Sequence, residues 1–310
     1  MRVIAVVGPT GAGKTALAEA LALRLGGEIV SADSMQVYRR MDIGTAKAAL
    51  QDRLVPYHCI DLVDPGEQYS AALYQRDARA AIAEIVARGA LPMLCGGTGL
   101  YVRAALDSFS FPAGELGTAS RDRYEALADD LGPQALHTRL AARDPDSAAL
   151  IHPNNTRRVV RALEMLDRGA SYATQAARFA ERRSVFDATM IGVSMDRTAL
   201  YQHIDARVDA MLASGLLEEV EQLLDAGYRA ALTAAQAIGY KELVPVIEDG
   251  ADLGEAVASV KQATRNYAKR QLTWFRADPR VRWLDVTDLS PCEAREAALA
   301  LVQSTDAPPR

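Results

Sequence analysis

At 310 residues, 49% hydrophobic and 24% charged, the chain has room for one large domain, or for a core domain carrying an insertion, with the make-up of an ordinary soluble globular enzyme. Its 35 basic and 40 acidic residues leave a net charge of −5, so global charge gives no reason to expect nucleic acid. Cys59, Cys95 and Cys292 form no C-x-x-C pair and have no histidine cluster near them; with a strand starting at residue 2 and no apolar run of membrane-spanning length, zinc, a signal peptide and the membrane are excluded and a reduced, cytoplasmic protein is expected.

The first predicted strand, 2–7, is a β-branched run suited to burial on both faces. Gly8-Pro9-Thr10-Gly11-Ala12-Gly13-Lys14-Thr15 follows and fits G-x-x-x-x-G-K-[ST], the ATP-binding P-loop motif whose amides wrap a diphosphate. Leu17, Leu21 and Leu25 then recur every fourth residue, which predicts a helix over 14–25 with its N-terminal dipole at the anion. In that setting Lys14 neutralises the outer phosphate oxygens and the Thr15 hydroxyl ligates Mg²⁺. Kinases, NTPases and other transferases share such a loop, so the motif leaves the chemistry open. A second strand, 28–32, delivers Asp33 to the same sheet edge.

Further strands are predicted at 57–61, 91–95, 189–195 and 281–286, and helices at 71–88, 198–226, 254–277 and 293–303. Their alternation predicts an α/β fold, a P-loop NTPase-like parallel sheet flanked by helices. From 107 to 188 the rhythm fails: turn residues Pro112, Gly114 and Gly117 precede helical patterns. The predicted organisation is a P-loop core of residues 1–112 and 187–310 around a mainly helical insertion, 113–186. Basic residues concentrate locally, with Lys261, Arg265, Lys269, Arg270, Arg276, Arg280 and Arg282 in one stretch and Arg157, Arg158 and Arg161 in another. Such groups either localise an RNA backbone or form solvated helix faces, and composition does not separate the two.

Seven blocks, in order from residue 8 to 276, together resemble the tRNA dimethylallyltransferase (bacterial tRNA isopentenyltransferase) family. They are the P-loop, Ser31-Ala32-Asp33-Ser34-Met35-Gln36-Val37-Tyr38, Asp42-Ile43-Gly44-Thr45-Ala46-Lys47, Gly96-Gly97-Thr98-Gly99-Leu100-Tyr101, Ile151-His152-Pro153-Asn154, Gln236-Ala237-Ile238-Gly239-Tyr240-Lys241 and Tyr267 to Arg276. Two stretches depart from the family pattern: Ser108 to Gly114, and Asn155-Thr156 ahead of the Arg157-Arg158 pair.

The resemblance implies transfer of a dimethylallyl group from its diphosphate to the exocyclic amine of the adenine just 3′ of a tRNA anticodon, in tRNAs reading codons that begin with U. It implies that residues Gly8 to Thr15 hold the diphosphate, with Arg207 as a further cation and Mg²⁺ as cofactor. Asp33 is expected as the general base; from the sequence alone the alternative is a Mg²⁺-linked carboxylate at a strand end. The Thr10 hydroxyl is expected to position the amine or the diphosphate. By resemblance Asp33, Ser34, Met35, Gln36, Thr98, Arg121, Arg157, Arg158, Arg161, Gln236, Gly239, Tyr240, Lys241, Lys269 and Arg270 contact the RNA. Partners are then tRNA and dimethylallyl diphosphate, with no membrane and no obligate protein partner, the protein being a monomer. A P-loop nucleotide or small-molecule kinase and a non-catalytic RNA-binding module remain as rivals, separated by product formation.

Overall fold

The computed structural model describes residues 1–109, 111, 119–228 and 233–304. Contacts divide the chain into two compact units, Met1–Asp107 with Ser184–Arg310, and Ser108–Arg183. The expected turn residues Pro112, Gly114 and Gly117 lie outside the described residues.

The larger unit is built on six parallel strands: β1 (Arg2–Val7), β2 (Gly27–Ser31), β3 (Tyr57–His58), β4 (Leu91–Gly96), β5 (Asp187–Ser194) and β6 (Val281–Asp285), in the order β3-β2-β4-β1-β5-β6. From Val3 to Val7 the central strand β1 is apolar because both faces are covered. Ile4 and Val6 join the cluster of α1 (Lys14–Leu25) and α12 (Pro291–Gln303), while the alternate Val3, Ala5 and Val7, equally buried, point the other way. In a separate layer α2 (Ala71–Ala87) meets α3 (Gly99–Leu106) through stacked rings of Tyr74 and Tyr101, with centroids 3.9 Å apart. The Tyr74 hydroxyl donates to the Ser31 carbonyl at 2.8 Å, which ties that layer to the end of β2.

Two predicted elements change. The strand expected at 57–61 stops after two residues, because Cys59 (φ 61°) and Asp61 (φ 53°) adopt left-handed conformations that leave the ladder. The helix expected over 198–226 is two helices, α8 (Arg197–Ala213) and α9 (Leu216–Asp225), broken at Gly215, whose φ is 96°. After it come α10 (Val244–Asp249) and α11 (Leu253–Arg276).

The smaller unit is helical: α4 (Ala119–Arg143, interrupted at Gly132 and Pro133), α5 (Pro145–Leu150), α6 (Thr156–Asp167) and α7 (Tyr172–Ala180). It has its own core, in which Tyr124, Leu136 and Leu140 of α4 pack on Val159, Val160 and Leu163 of α6.

Candidate active site

In an open parallel sheet the crevice beyond the carboxyl ends of the strands is where ligands lodge. Gly8 leaves β1 there with φ 141°, and a Cβ on it would stand 2.4 Å from the Val193 carbonyl of β5; only glycine passes that close. The loop turns through Gly11 and Gly13, both left-handed, and enters α1 at Lys14. The Thr10 amide donates to Gln271 Oε1 of α11 at 2.8 Å, and Gln271 Nε2 donates to the Gly97 carbonyl at 3.0 Å. One buried side chain thus ties the loop to the turn after β4.

Over the loop lies a cavity of about 480 Å³. Thr10, Lys14 and Thr15 line it, together with Asp33, Ser34, Met35 and Gln36 from the end of β2, and Arg207 from α8. Gln236, Gly239, Tyr240, Lys241 and Arg270 line it as well. Among the expected loop residues, Gly8, Pro9, Gly11, Ala12 and Gly13 shape the backbone without lining the cavity. Apolar side chains, Ile204, Val208, Met211 and Leu216 among them, form part of the wall.

The electrostatics of this cavity favour an anion. Lys14 Nζ donates to the Pro9 carbonyl at 2.7 Å, and burial lowers its pKa to about 8, with Arg207 pushing it down and Asp33 up. Burial also lowers the pKa of Arg207, opposed by Asp33. Arg207 has no hydrogen-bond or ion-pair partner among the described residues, so its guanidinium donors remain for a ligand. Burial pushes the Cys95 thiol, on the cavity wall, up to about 11, which makes it a poor nucleophile.

The Asp33 carboxylate is half committed. Its Oδ1 accepts the Met35 amide at 2.9 Å, while Oδ2 has no partner among the described residues. Beside it the Ser34 amide donates to Thr98 Oγ1 at 3.0 Å. Tyr267, another wall residue, has a pKa raised to about 12 by burial and by the Asp33 charge. Among the described residues no group of three His, Cys, Asp or Glu side chains forms a metal cage. Around the loop the Thr10 and Thr15 hydroxyls and the Asp33 carboxylate offer oxygen donors, a set that fits Mg²⁺, which takes most of its ligands from phosphates and water.

The expected RNA contacts divide. Arg157 and Arg158 are exposed on α6. Arg121 lies 3.6 Å from both Glu125 and Glu164, and Arg161 lies 3.8 Å from the buried Glu164. On α11 the basic stretch is only partly open. Lys261 pairs with Asp209 at 2.6 Å and Arg265 with Asp205 at 2.7 Å, both on α8. Arg280 is tied to Asp107 and Asp278, and Arg282 donates to the Leu301 carbonyl. The exposed Lys269 and Arg270 lie over the rings of Tyr201 and Tyr267, at 5.9 and 5.5 Å from the centroids. Gln271 and Tyr267 carry no motif of their own, and only their place in the Tyr267 to Arg276 block signals them in the sequence. Glu219, described below, gave no sequence signal beyond an acid in the first turn of a helix.

A phosphate loop at the carboxyl edge of a parallel sheet, sharing a cavity with an acid and an arginine, defines the class of P-loop α/β proteins that handle a phosphorylated ligand. Within that class the chain belongs to the IPP transferase family, whose model matches residues 36–278; the isopentenyl transferase model matches residues 1–56. A tRNA dimethylallyltransferase of Geobacillus thermodenitrificans is 47% identical over 288 residues, 93% of this chain and 91% of that relative. One from Bacillus subtilis is 47% identical over 286 residues, 92% and 91%. The crystal structure of a full-length tRNA isopentenylpyrophosphate transferase from Bacillus halodurans has a TM-score of 0.71 at 42% identity and covers 98% of both chains. A eukaryotic dimethylallyltransferase acting on tRNA superposes with a TM-score of 0.83 at 31% identity, over 98% of this chain and 79% of that one.

Proposed function

We infer that the chain is a tRNA dimethylallyltransferase. It moves the dimethylallyl group from dimethylallyl diphosphate to the N6 amine of the adenosine 3′ to the anticodon, in tRNAs that read codons beginning with U. One observation carries this reading: Asp33 shares a cavity with the phosphate loop and Arg207, so a departing diphosphate and a deprotonated amine can meet in one void. The family relationship favours it over a P-loop kinase acting on a small acceptor.

In the reaction the bond from the allylic carbon to the diphosphate oxygen breaks and the bond from that carbon to N6 forms. The amine proton passes to Asp33, acting as general base, and diphosphate leaves. Loop amides from Gly11 to Thr15, Lys14 and Arg207 stabilise the charge that grows on the leaving group; held in place beforehand, they favour the transition state over the ground state. Thr10, whose amide is fixed by Gln271, presents its hydroxyl to the reacting groups. Thr15 would hold Mg²⁺, which when bound neutralises diphosphate oxygens. The apolar wall suits the prenyl tail.

The RNA is assigned to Ser34, Met35, Gln36, Thr98, Gln236, Gly239, Tyr240, Lys241, Lys269 and Arg270 in the larger unit, and to Arg121, Arg157, Arg158 and Arg161 in the helical insertion, 113–186. No helix among the described residues is long and apolar enough to cross a membrane. A cytoplasmic monomer completes the reading. The test is mass analysis of bulk tRNA incubated with the protein, Mg²⁺ and dimethylallyl diphosphate. Prenylated adenosine formed only with all components present is the expected result; ATP turnover with a small acceptor and no prenylation overturns it.

A further inference from the structure

The Asp42 to Lys47 block has no part in the chemistry above, yet its first three amides converge on one carboxylate, while Lys47 anchors its far end to Asp61 and the Tyr38 carbonyl. Glu219 Oε2 accepts the amides of Asp42 and Ile43 at 2.9 and 2.8 Å, and Oε1 accepts the Gly44 amide at 3.2 Å and the Tyr240 hydroxyl at 2.6 Å. The loop is pressed onto the fully buried Tyr240 ring, since a Cβ on Gly44 would stand 2.4 Å from its edge. The carbonyl of the next residue, Thr45, accepts Gln36 Nε2 at 3.2 Å, and Ser31 Oγ donates to Gln36 Oε1 at 2.9 Å. A backbone carbonyl can only accept, so the amide nitrogen must face Thr45 and the amide oxygen must face Ser31. One N–H and one lone pair of the amide then remain, on a side chain that lines the cavity.

We propose that Glu219 is a positioning residue: through the 42–45 loop it fixes the Gln36 amide so that its remaining donor and acceptor read the amine-bearing edge of adenine. The inference rests on the adenine-transfer reading above. Adenine offers an amine donor beside a ring-nitrogen acceptor, which match the amide oxygen and nitrogen respectively. Guanine offers an oxygen where adenine has its amine. Pairing with it would require the opposite amide orientation, which sets the Gln36 oxygen against the Thr45 carbonyl.

The test uses synthetic anticodon stem-loops with adenine, 7-deazaadenine or 1-deazaadenine at the acceptor position. Each analogue keeps the amine and removes one flanking ring acceptor. Wild type should lose about 5- to 100-fold in kcat/KM on one of the two analogues. Glu219→Gln, which replaces an acceptor oxygen with a donor, should be slower on adenine and nearly indifferent to that same analogue, with KM for dimethylallyl diphosphate within about twofold of wild type. Any intrinsic effect of the analogue on amine reactivity cancels in this comparison of ratios. Ser31→Ala, which releases the amide oxygen, should shrink the penalty too, and it carries the test if Glu219→Gln does not fold by circular dichroism. The full wild-type penalty persisting in the folded variants overturns the proposal, as does the absence of any penalty in wild type. A wild-type protein that prenylates no loop at all rejects the transferase reading instead.

Discussion

The residue with the largest expected effect is Asp33, whose Oδ1 is fixed by the Met35 amide while Oδ2 has no partner among the described residues. Asp33→Ala should lower kcat by about 10²–10⁴ and leave tRNA affinity within a few-fold, measured by single-turnover prenylation and filter binding. Restoration of the rate by excess Mg²⁺ would mark the carboxylate as metal-linked rather than as the base. Lys14 predicts a pH dependence. With its pKa lowered to about 8, it is charged below that pH and neutral above it, so the grip on diphosphate is complete on the acid side and fades as pH rises. KM for dimethylallyl diphosphate should therefore climb above pH about 8, and Lys14→Met, which has nothing to titrate, should start from a higher KM and flatten that rise. Both residues were legible in the sequence, because a loop motif and a strand end dictate position through the backbone alone. The Gln271 bridge was not, because its partners, Thr10 and Gly97, lie 261 and 174 residues away.

Among the elements, the α8–α9 break depends on one backbone conformation. Gly215→Ala forces a Cβ into φ 96°, a strain of about 1–2 kcal/mol. A cost of that size should appear as a loss of roughly 1.5–3 °C in Tm by calorimetry. Sequence periodicity carried straight through this point because Leu212 and Leu216 keep a four-residue spacing, and Gly215 reads as an ordinary helix glycine until its conformation is seen. The same limit applies to α11. The run of basic residues from Lys261 to Arg282 was plain in the sequence, which could not show that α8 sets Asp209 and Asp205 opposite Lys261 and Arg265. Lys261→Ala should consequently leave the salt dependence of tRNA binding unchanged, while Lys269→Ala and Arg270→Ala should each lower the slope of log K against log salt by up to about 1.

Over the whole molecule, an acidic chain that binds RNA must do so with local charge, and its affinity should fall steeply with salt although the net charge is −5. The parallel sheet was legible because alternating strand and helix patterns leave few other solutions. The helical character of 119–180 was legible as well, whereas its separate core, built on Tyr124, Leu140 and Val160, emerges only from packing. Gln271 has one more consequence. It sits on the same 24-residue rod as Lys269 and Arg270, one residue beyond the latter. One helix therefore backs both the phosphate loop, through the Thr10 amide, and the side chains proposed to meet the nucleic acid. Any tilt of that helix preferred by one substrate is felt by the other, and thermodynamic reciprocity makes the two influences equal.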